Sequence, residues 1–371
     1  MKTAIVHHWL VGMRGGEKVL EGICELYPEA DIFTLVYNPQ SVSPAIRNHR
    51  ITASWLNKLP FAAKLYPNLL PLYPLASKSL DVSSYDLVIS SDSSLIKTVR
   101  VSPRAIHVCL CYSPPRYLWD MADLYLERAN WVKKIAALIT FPWLRRQDFA
   151  AAQKVDYFVA NSLYVQDRIR RHYRRDSRII FPPVDSSIGA GTQTTRNSKN
   201  RDFYLVLGQL VHYKRADLAV QALNKLGRRL VLIGDGPERE RIEKMAGQNI
   251  KILGWQSDEF VREHLASCRA LIFPGEEDFG LVPVEAQMAG RPVIAYGKGG
   301  ALETVIDGAT GLFFSEQTPD SLAEAIKSFE IIEEKFSPAK IRALAMRFDK
   351  QVFLDEFKEF MAECLAKGKT R

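Results

Sequence analysis

The chain has 371 residues, 47% hydrophobic and 25% charged, with 21 Gly and 19 Pro scattered without a period. That balance supports two ordinary globular domains and excludes wholesale disorder and fibrous or collagen-like classes. The net charge is +8, and twelve Lys and Arg against four Asp between Arg128 and Arg178 account for all of it; one basic zone calls for an anionic partner, or is a solvated helix face.

The chain begins with a short apolar run that His7 and His8 stop too early for a secretory signal. No stretch approaches the ~20 apolar residues that span a bilayer, and the longest, Ile135 to Leu144, is half that. Five cysteines (Cys24, Cys109, Cys111, Cys268, Cys364) include no C-x-x-C pair, which argues against a disulfide framework or zinc site and for a reducing, cytoplasmic setting. Lys2 to His8 reads as a buried strand, followed by Gly12, Gly15 and Gly16 and a helical pattern from Glu17 to Leu26. Further strands are expected at Asp31 to Val36, Tyr85 to Ser90, Ile106 to Leu110 and Tyr157 to Ala160. Continuous apolar runs without alternation predict strands covered on both faces, the mark of a parallel sheet with crossover helices.

Ser186 to Asn200 is rich in Ser, Thr, Gly and Asn and reads as a flexible linker. A second α/β series follows, with strands at Phe203 to Leu207, Arg229 to Ile233, Ile250 to Leu253, Ala270 to Phe273 and Pro292 to Ala295. The expected organisation is an N-terminal Rossmann-like domain (1–185), the linker (186–200), a second Rossmann-like domain (201–345) and a helical tail (346–371) that can pack back on the first domain. Two doubly wound domains face each other across a cleft in such a chain, and open α/β sheets bind ligands at strand carboxyl ends.

The chemistry concentrates in Pro274 to Ala286, where a strand ends in an acidic loop and a helix is expected to begin near Leu281. Pro283 suits its first turn and Gly290 its close. The amides of Phe279, Gly280, Leu281 and Val282 then face outward at a positive helix end, an anion site. Glu277 and Glu285 flank it, and carboxylates accept sugar hydroxyls better than they bind phosphate. The pair is therefore suited to a sugar nucleotide, although two glutamates alone are equally a loop acid and a solvated helix residue.

Glu277 and Glu285, eight positions apart with Phe279-Gly280-Leu281 between them, resemble the signature of retaining glycosyltransferases of family four. Gly234-Asp235-Gly236-Pro237-Glu238, Ile252-Leu253-Gly254-Trp255, Gly299-Gly300-Ala301-Leu302-Glu303 and Asp307-Gly308-Ala309-Thr310-Gly311-Leu312 extend the resemblance over residues 203–315. It implies the GT-B architecture, with the donor held mainly by the second domain. By that resemblance Glu285 binds ribose hydroxyls, Glu277 the transferred sugar, and the amides of Phe279 to Val282 the phosphates and sugar, with Gly254 also on the donor side. Relatives carry Arg and Lys at the positions of Gln209 and Lys214; here Lys214 is kept and Gln209 departs, leaving Arg215 as a substitute cation or a surface charge.

The first half is similar to O-antigen and exopolysaccharide mannosyltransferases of that family, through His7-His8-Trp9-Leu10, Gly15-Gly16-Glu17-Lys18, Ser113-Pro114-Pro115-Arg116-Tyr117 and Pro182-Pro183-Val184-Asp185. Gly15 and Gly16 allow close approach to donor phosphates, or make a tight turn. Tyr112 stands where relatives often have His, and His8 where they often have Asp. A phenol of reference pKa about 10 is no base at neutral pH, but it can position an oxygen. Arg116 suits a leaving or acceptor phosphate, or pairs with Asp120. Glu277, Lys214 and Tyr112 are the candidates for the reacting centre.

The resemblance implies transfer of a hexose with retention, by subfamily likeness mannose from GDP-mannose, onto a lipid-linked glycan of surface polysaccharide. A UDP- or ADP-hexose is the alternative donor, and an NAD-dependent oxidoreductase on paired Rossmann domains the alternative class, although Gly297-Lys298-Gly299-Gly300 fails the full glycine fingerprint at Leu302. No D-x-D occurs, so no metal is expected and no tightly bound cofactor. Nucleic acid is not an expected partner, since no recognition helix or aromatic-interleaved sheet accompanies the basic zone. Trp131 to Arg146, apolar between two Trp and two basic pairs, suits a membrane interface or a core helix with a basic rim. The first alternative places the protein on the inner face of the cytoplasmic membrane, through an anionic surface contacted by residues 128–178.

Overall fold

The computed structural model describes residues 1–127, 130–189 and 202–369. Contacts divide the chain into two compact units, Met1–Pro183 together with the segment from Gln351, and Val184–Lys350.

In the first unit, strands β1 (Thr3–His7), β2 (Asp31–Thr34), β3 (Ile51–Ala53), β5 (Leu87–Asp92), β7 (Ile106–Cys111), β8 (Tyr157–Ala160) and β9 (Arg178–Ile179) form one sheet in the order β3-β2-β1-β5-β7-β8-β9. A separate pair, β4 (Asp81–Val82) and β6 (Arg100–Val101), lies outside it. Every neighbouring pair is parallel. Side chains alternate between two cores: Ile5, Leu87 and Ile89 face one, Ala4, Val6 and Val88 the other. This is the two-period of a strand buried on both sides, and it explains why the sequence shows unbroken apolar runs there. Helix Gly15–Leu26 packs on the first of these cores. The final helix, Lys350–Lys367, contributes Phe353, Leu354, Phe357, Phe360 and Met361 to the same core.

In the second unit, strands β10 (Phe203–Leu207), β11 (Arg229–Ile233), β12 (Ile250–Ile252), β13 (Leu271–Phe273), β14 (Val293–Tyr296) and β15 (Gly311–Phe314) make a parallel sheet in the order β12-β11-β10-β13-β14-β15. Both units are thus doubly wound and Rossmann-like, the α/β class of the GT-B expectation. In each sheet the order turns back once, between β1 and β5 in the first and between β10 and β13 in the second. Loops leaving opposite ways at that point open a crevice beyond the strand carboxyl ends.

Several local expectations shift. The strand from Asp31 stops at Thr34, and β3, β9, β15 and the β4–β6 pair fall where the sequence predicts no strand. The expected linker is structured at its start: Ser186–Gly189 forms a short 3₁₀ turn, and Arg342 donates to Ser186 O and Gly189 O. The rest of that linker lies outside the described residues. No helix among the described residues is long and apolar enough to cross a membrane.

Candidate functional site

The second unit's switch point is a small, solvent-open pocket lined by Gly208, Gln209, Leu210, Lys214, Phe273, Pro274 and Glu277. The loop after β10 carries Gln209, which is exposed, and Lys214, at the end of a short 3₁₀ turn (His212–Lys214). The loop after β13 carries Glu277. Lys214 Nζ lies 3.0 Å from Glu277 Oε1, with each side chain about one-fifth exposed (21% and 20%). The neighbouring strand ends therefore present a cation and a carboxylate side by side at the mouth of the crevice.

Helix Leu281–Met288 begins where the sequence places it, directly after Gly280. Gly280 has φ +87°, the left-handed region, and a Cβ there would stand 3.1 Å from Phe273, so glycine is required for the turn into the helix. The first amides of the helix have no intrahelical acceptor, which leaves partial positive charge at its start. The loop is held from behind: Gly300 N donates to Glu277 O at 2.8 Å, and Gln317 Nε2 to Pro274 O at 2.9 Å. A Cβ on Gly300 would fall 2.3 Å from Phe279 Cα, which is why two glycines open that block of sequence. Phe279 itself is buried edge-on against Phe348 at 5.5 Å. Glu285 lies one turn into the helix and is half-buried.

The first unit's switch point is built differently. Strand register sets His7 beside Ser91 and Ser91 beside Leu110. Ser91 Oγ lies 2.8 Å from His7 Nδ1 and 2.7 Å from the Tyr112 hydroxyl, and that hydroxyl donates to Gly16 O at 3.2 Å. His7 Nε2 faces Glu17 Oε1 at 3.7 Å, both buried, while Glu17 Oε2 accepts from Arg14 N in the first turn of helix Gly15–Leu26. Burial pulls the Glu17 carboxyl up, but the nearby imidazoles of His7 and His8 outweigh it and the net shift is down. His8 is wholly buried against Ser91 O, and burial, reinforced by His7, pushes its pKa down to about 3. Burial raises the Tyr112 phenol far from the neutral range, so it stays protonated and acts as a hydrogen-bonding group.

Residues 192–343 match the family described as Glycosyl transferases group 1. The chain is 30% identical over 313 residues to human alpha-1,3/1,6-mannosyltransferase ALG2, covering 71% of each chain. The chain belongs to the group 1 glycosyl transferases. It is also 30% identical over 181 residues to the uncharacterized glycosyltransferase MJ1178 of Methanocaldococcus jannaschii, 47% of this chain and 50% of that one; it spans about half the length or less of the first such relatives. In fold it is similar to Anabaena Alr3699/HepE in complex with UDP (TM-score 0.71, 17% identity, 98% of this chain and 100% of that one). The family membership leaves the oxidoreductase alternative without support.

Of the residues singled out in this group 1 chain, Gln209, Lys214 and Glu277 line one pocket, with Phe279 to Val282 on the loop and helix start that follow Glu277. Arg215 is turned to Asp217, 3.1 Å away, and does not line that pocket. Gly254 follows β12, two strands from β10, and its carbonyl accepts from Gly234 N. Gly16 and Tyr112 meet in the first unit. The acid weighed against Arg116 is occupied: Asp120 binds Arg168 Nε at 2.5 Å and His172 Nε2 at 2.6 Å.

Two important side chains escaped the sequence reading. Arg168, 1% exposed, fastens the loop after β7 by donating to Ser113 Oγ and Pro114 O as well as Asp120. Lys97, fully buried, bridges Asp92 at 3.0 Å and Asp148 at 2.5 Å. Burial opposes the Lys97 charge, but the two carboxylates win and raise its pKa. Arg168 was hidden in a run of basic residues, though Val165, Ile169 and Tyr173 mark its helix face as inward. The basic zone is accordingly divided: Arg145, Arg168 and Arg175 are spent on internal carbonyls or carboxylates, while Lys133, Lys134 and Arg146 are exposed.

Proposed function

We propose that the protein is a retaining hexosyltransferase that moves mannose from GDP-mannose onto a lipid-linked glycan in surface-polysaccharide synthesis, at the inner face of the cytoplasmic membrane. The observation that carries the reading is the Lys214–Glu277 pair at the second switch point, followed by the amino end of helix Leu281–Met288. A departing nucleoside diphosphate gathers charge at its β-phosphate. Lys214 and the amides of Phe279 to Val282 neutralise that charge where it develops, the largest rate term for such a reaction. Glu277 accepts hydroxyls of the transferred sugar, and Glu285 those of the ribose.

Glu277 and Glu285 follow one another on a single loop and helix start, one donor half-site, and so are not the pair across the glycosidic bond that a glycosidase requires. The leaving phosphate therefore takes the acceptor proton on the face from which it departs. No metal enters this scheme. Tyr112 positions an oxygen, and Gly15, Gly16 and Arg116 supply contacts for donor or acceptor phosphate from the first unit. Residues 128–178 meet an anionic membrane surface.

The mannosyl reading draws support from the name of the human relative; the UDP in the Anabaena complex keeps a UDP-hexose as the second reading. A thermal-shift panel of GDP, UDP, ADP and their sugar conjugates tests it, with Glu285→Ala as control. GDP-mannose is expected to stabilise most, and the variant to lose that shift. Equal failure of all nucleotides rejects the transferase site, and activity abolished by EDTA and restored by Mn²⁺ or Mg²⁺ rejects the metal-free scheme.

A further inference from the structure

Helix Trp131–Ala152 has two apolar faces. Ala137, Leu144 and Asp148 are buried, and Phe141 packs with Leu144 against the core beneath. At 3.6 residues per turn the opposite side carries Trp131, Val132, Ile135, Leu138, Ile139 and Trp143. All six are exposed, Leu138 by 78% and Ile139 by 71%. A helix that is apolar all round is normally buried all round, and a continuous apolar patch on a water-facing surface marks an interaction site.

The charges on the same helix select the partner. Lys133, Lys134 and Arg146 are exposed. The helix has one acid, Asp148, and it faces inward to Lys97. On the same wheel Arg146 lies within the apolar side and Lys134 at its edge, with Lys133 exposed at the start of the helix on the core-facing side, so the outward side carries cations and no acid. A second copy docked through this face would bring like charges together, whereas anionic headgroups complement them. From Trp131 to Trp143 the apolar stretch is about 18 Å long, too short to span a bilayer and suited to lie in its surface.

We infer that the outward face of helix Trp131–Ala152 is a docking surface for an anionic phospholipid bilayer, in which Ile135, Leu138 and Ile139 enter the acyl boundary while Lys134 and Arg146 meet headgroup phosphates. The inference narrows the basic zone to one helix face. It rests on the proposed lipid-linked acceptor for its purpose, but not for its detection.

Vesicle flotation of the full chain tests it, using phosphatidylcholine vesicles with and without about a third phosphatidylglycerol. The chain is expected to bind the anionic vesicles on the order of tenfold more than the neutral ones. The triple variant Ile135→Ser, Leu138→Ser, Ile139→Ser is expected to fall to background, and Lys134→Glu with Arg146→Glu to lose the anionic preference. Three outcomes overturn the inference: no flotation of the unaltered chain, flotation unchanged in both variants, or a dimer in sedimentation that the serine variant dissolves. Failure of the transferase reading would instead show in the nucleotide thermal-shift panel and leave flotation intact.

Discussion

In the first unit the carboxyl ends of β1, β5 and β7 carry His7, His8, Ser91 and Tyr112, whose polar atoms, His7 Nε2 apart, are engaged with one another and with neighbouring groups. In the second, the carboxyl ends of β10 and β13 lead to Lys214 and Glu277, joined to each other at 3.0 Å but partly in solvent. Both sheets offer a crevice at the point where strand order reverses, yet one is filled with internal hydrogen bonds and the other is left open. A buried polar group that is internally satisfied adds rigidity. A partly exposed ion pair gains little by itself and is readily exchanged for a charged ligand. The two crevices share a topology and differ in the state of their polar atoms, and the proposed donor site rests on that difference.

The sharpest way to break this comparison is to remove Lys97, which sits between Asp92 at the end of β5 and Asp148. Lys97→Met leaves buried carboxylates uncompensated and should cost about 3–5 kcal/mol of stability. Urea denaturation reads it, and an unchanged midpoint would show that the buried network is not what stiffens the first unit. The matching change in the second unit is Lys214→Ala. Its expected cost is on the order of 10²–10³-fold in turnover with the melting temperature nearly unchanged, since the pair is partly exposed. Loss of stability with turnover retained would reverse the assignment of the two crevices.

The second crevice was far more legible in the sequence than the first, for a physical reason. Most of its parts are local: Glu277, Gly280, Leu281 and Pro283 belong to one loop and helix start, and only Lys214 comes from a separate loop, where the resemblance marked it. The first crevice is assembled across the sheet. Ser91 meets His7 through strand register, 84 positions away, and Lys97 meets Asp148 from a separate helix. Nothing in the segment around Lys97 distinguishes a buried cation from a surface one. Most strands of both sheets were legible because burial on two faces leaves unbroken apolar runs, whereas β3, β9 and β15, short and only partly buried, carry no such run. Helix Trp131–Ala152 left two alternatives open because it has both a core-facing and a water-facing apolar side, and periodicity cannot separate two faces of like composition.

Smaller perturbations sharpen the account of the first crevice. Ser91→Ala deprives His7 and Tyr112 of their common partner, and a buried donor or acceptor left unmet costs about 1–3 kcal/mol. Thermal melting should fall accordingly, while nucleotide-induced shifts remain, because those read the second unit. A nucleotide shift lost with this variant would tie donor binding to the first unit's network.

The last test is acid. His8 has a pKa depressed to about 3 by burial and by His7, against about 6.5 in an unfolded chain. Between those values the unfolded chain binds the proton that the folded chain refuses, so stability is highest above pH 6.5 and falls as pH drops toward 3. From pH 7 to pH 5.5 the loss from this one group is about 1 kcal/mol. His8→Asn removes the titrating ring and should flatten the pH dependence of unfolding by that amount over the same interval. The variant is expected to start lower at pH 7, where the ring's packing is lost, and to approach the unaltered protein as the solution is acidified. Parallel curves instead would mean that His8 already takes up a proton in the folded state, and that the first crevice admits charge as the second does.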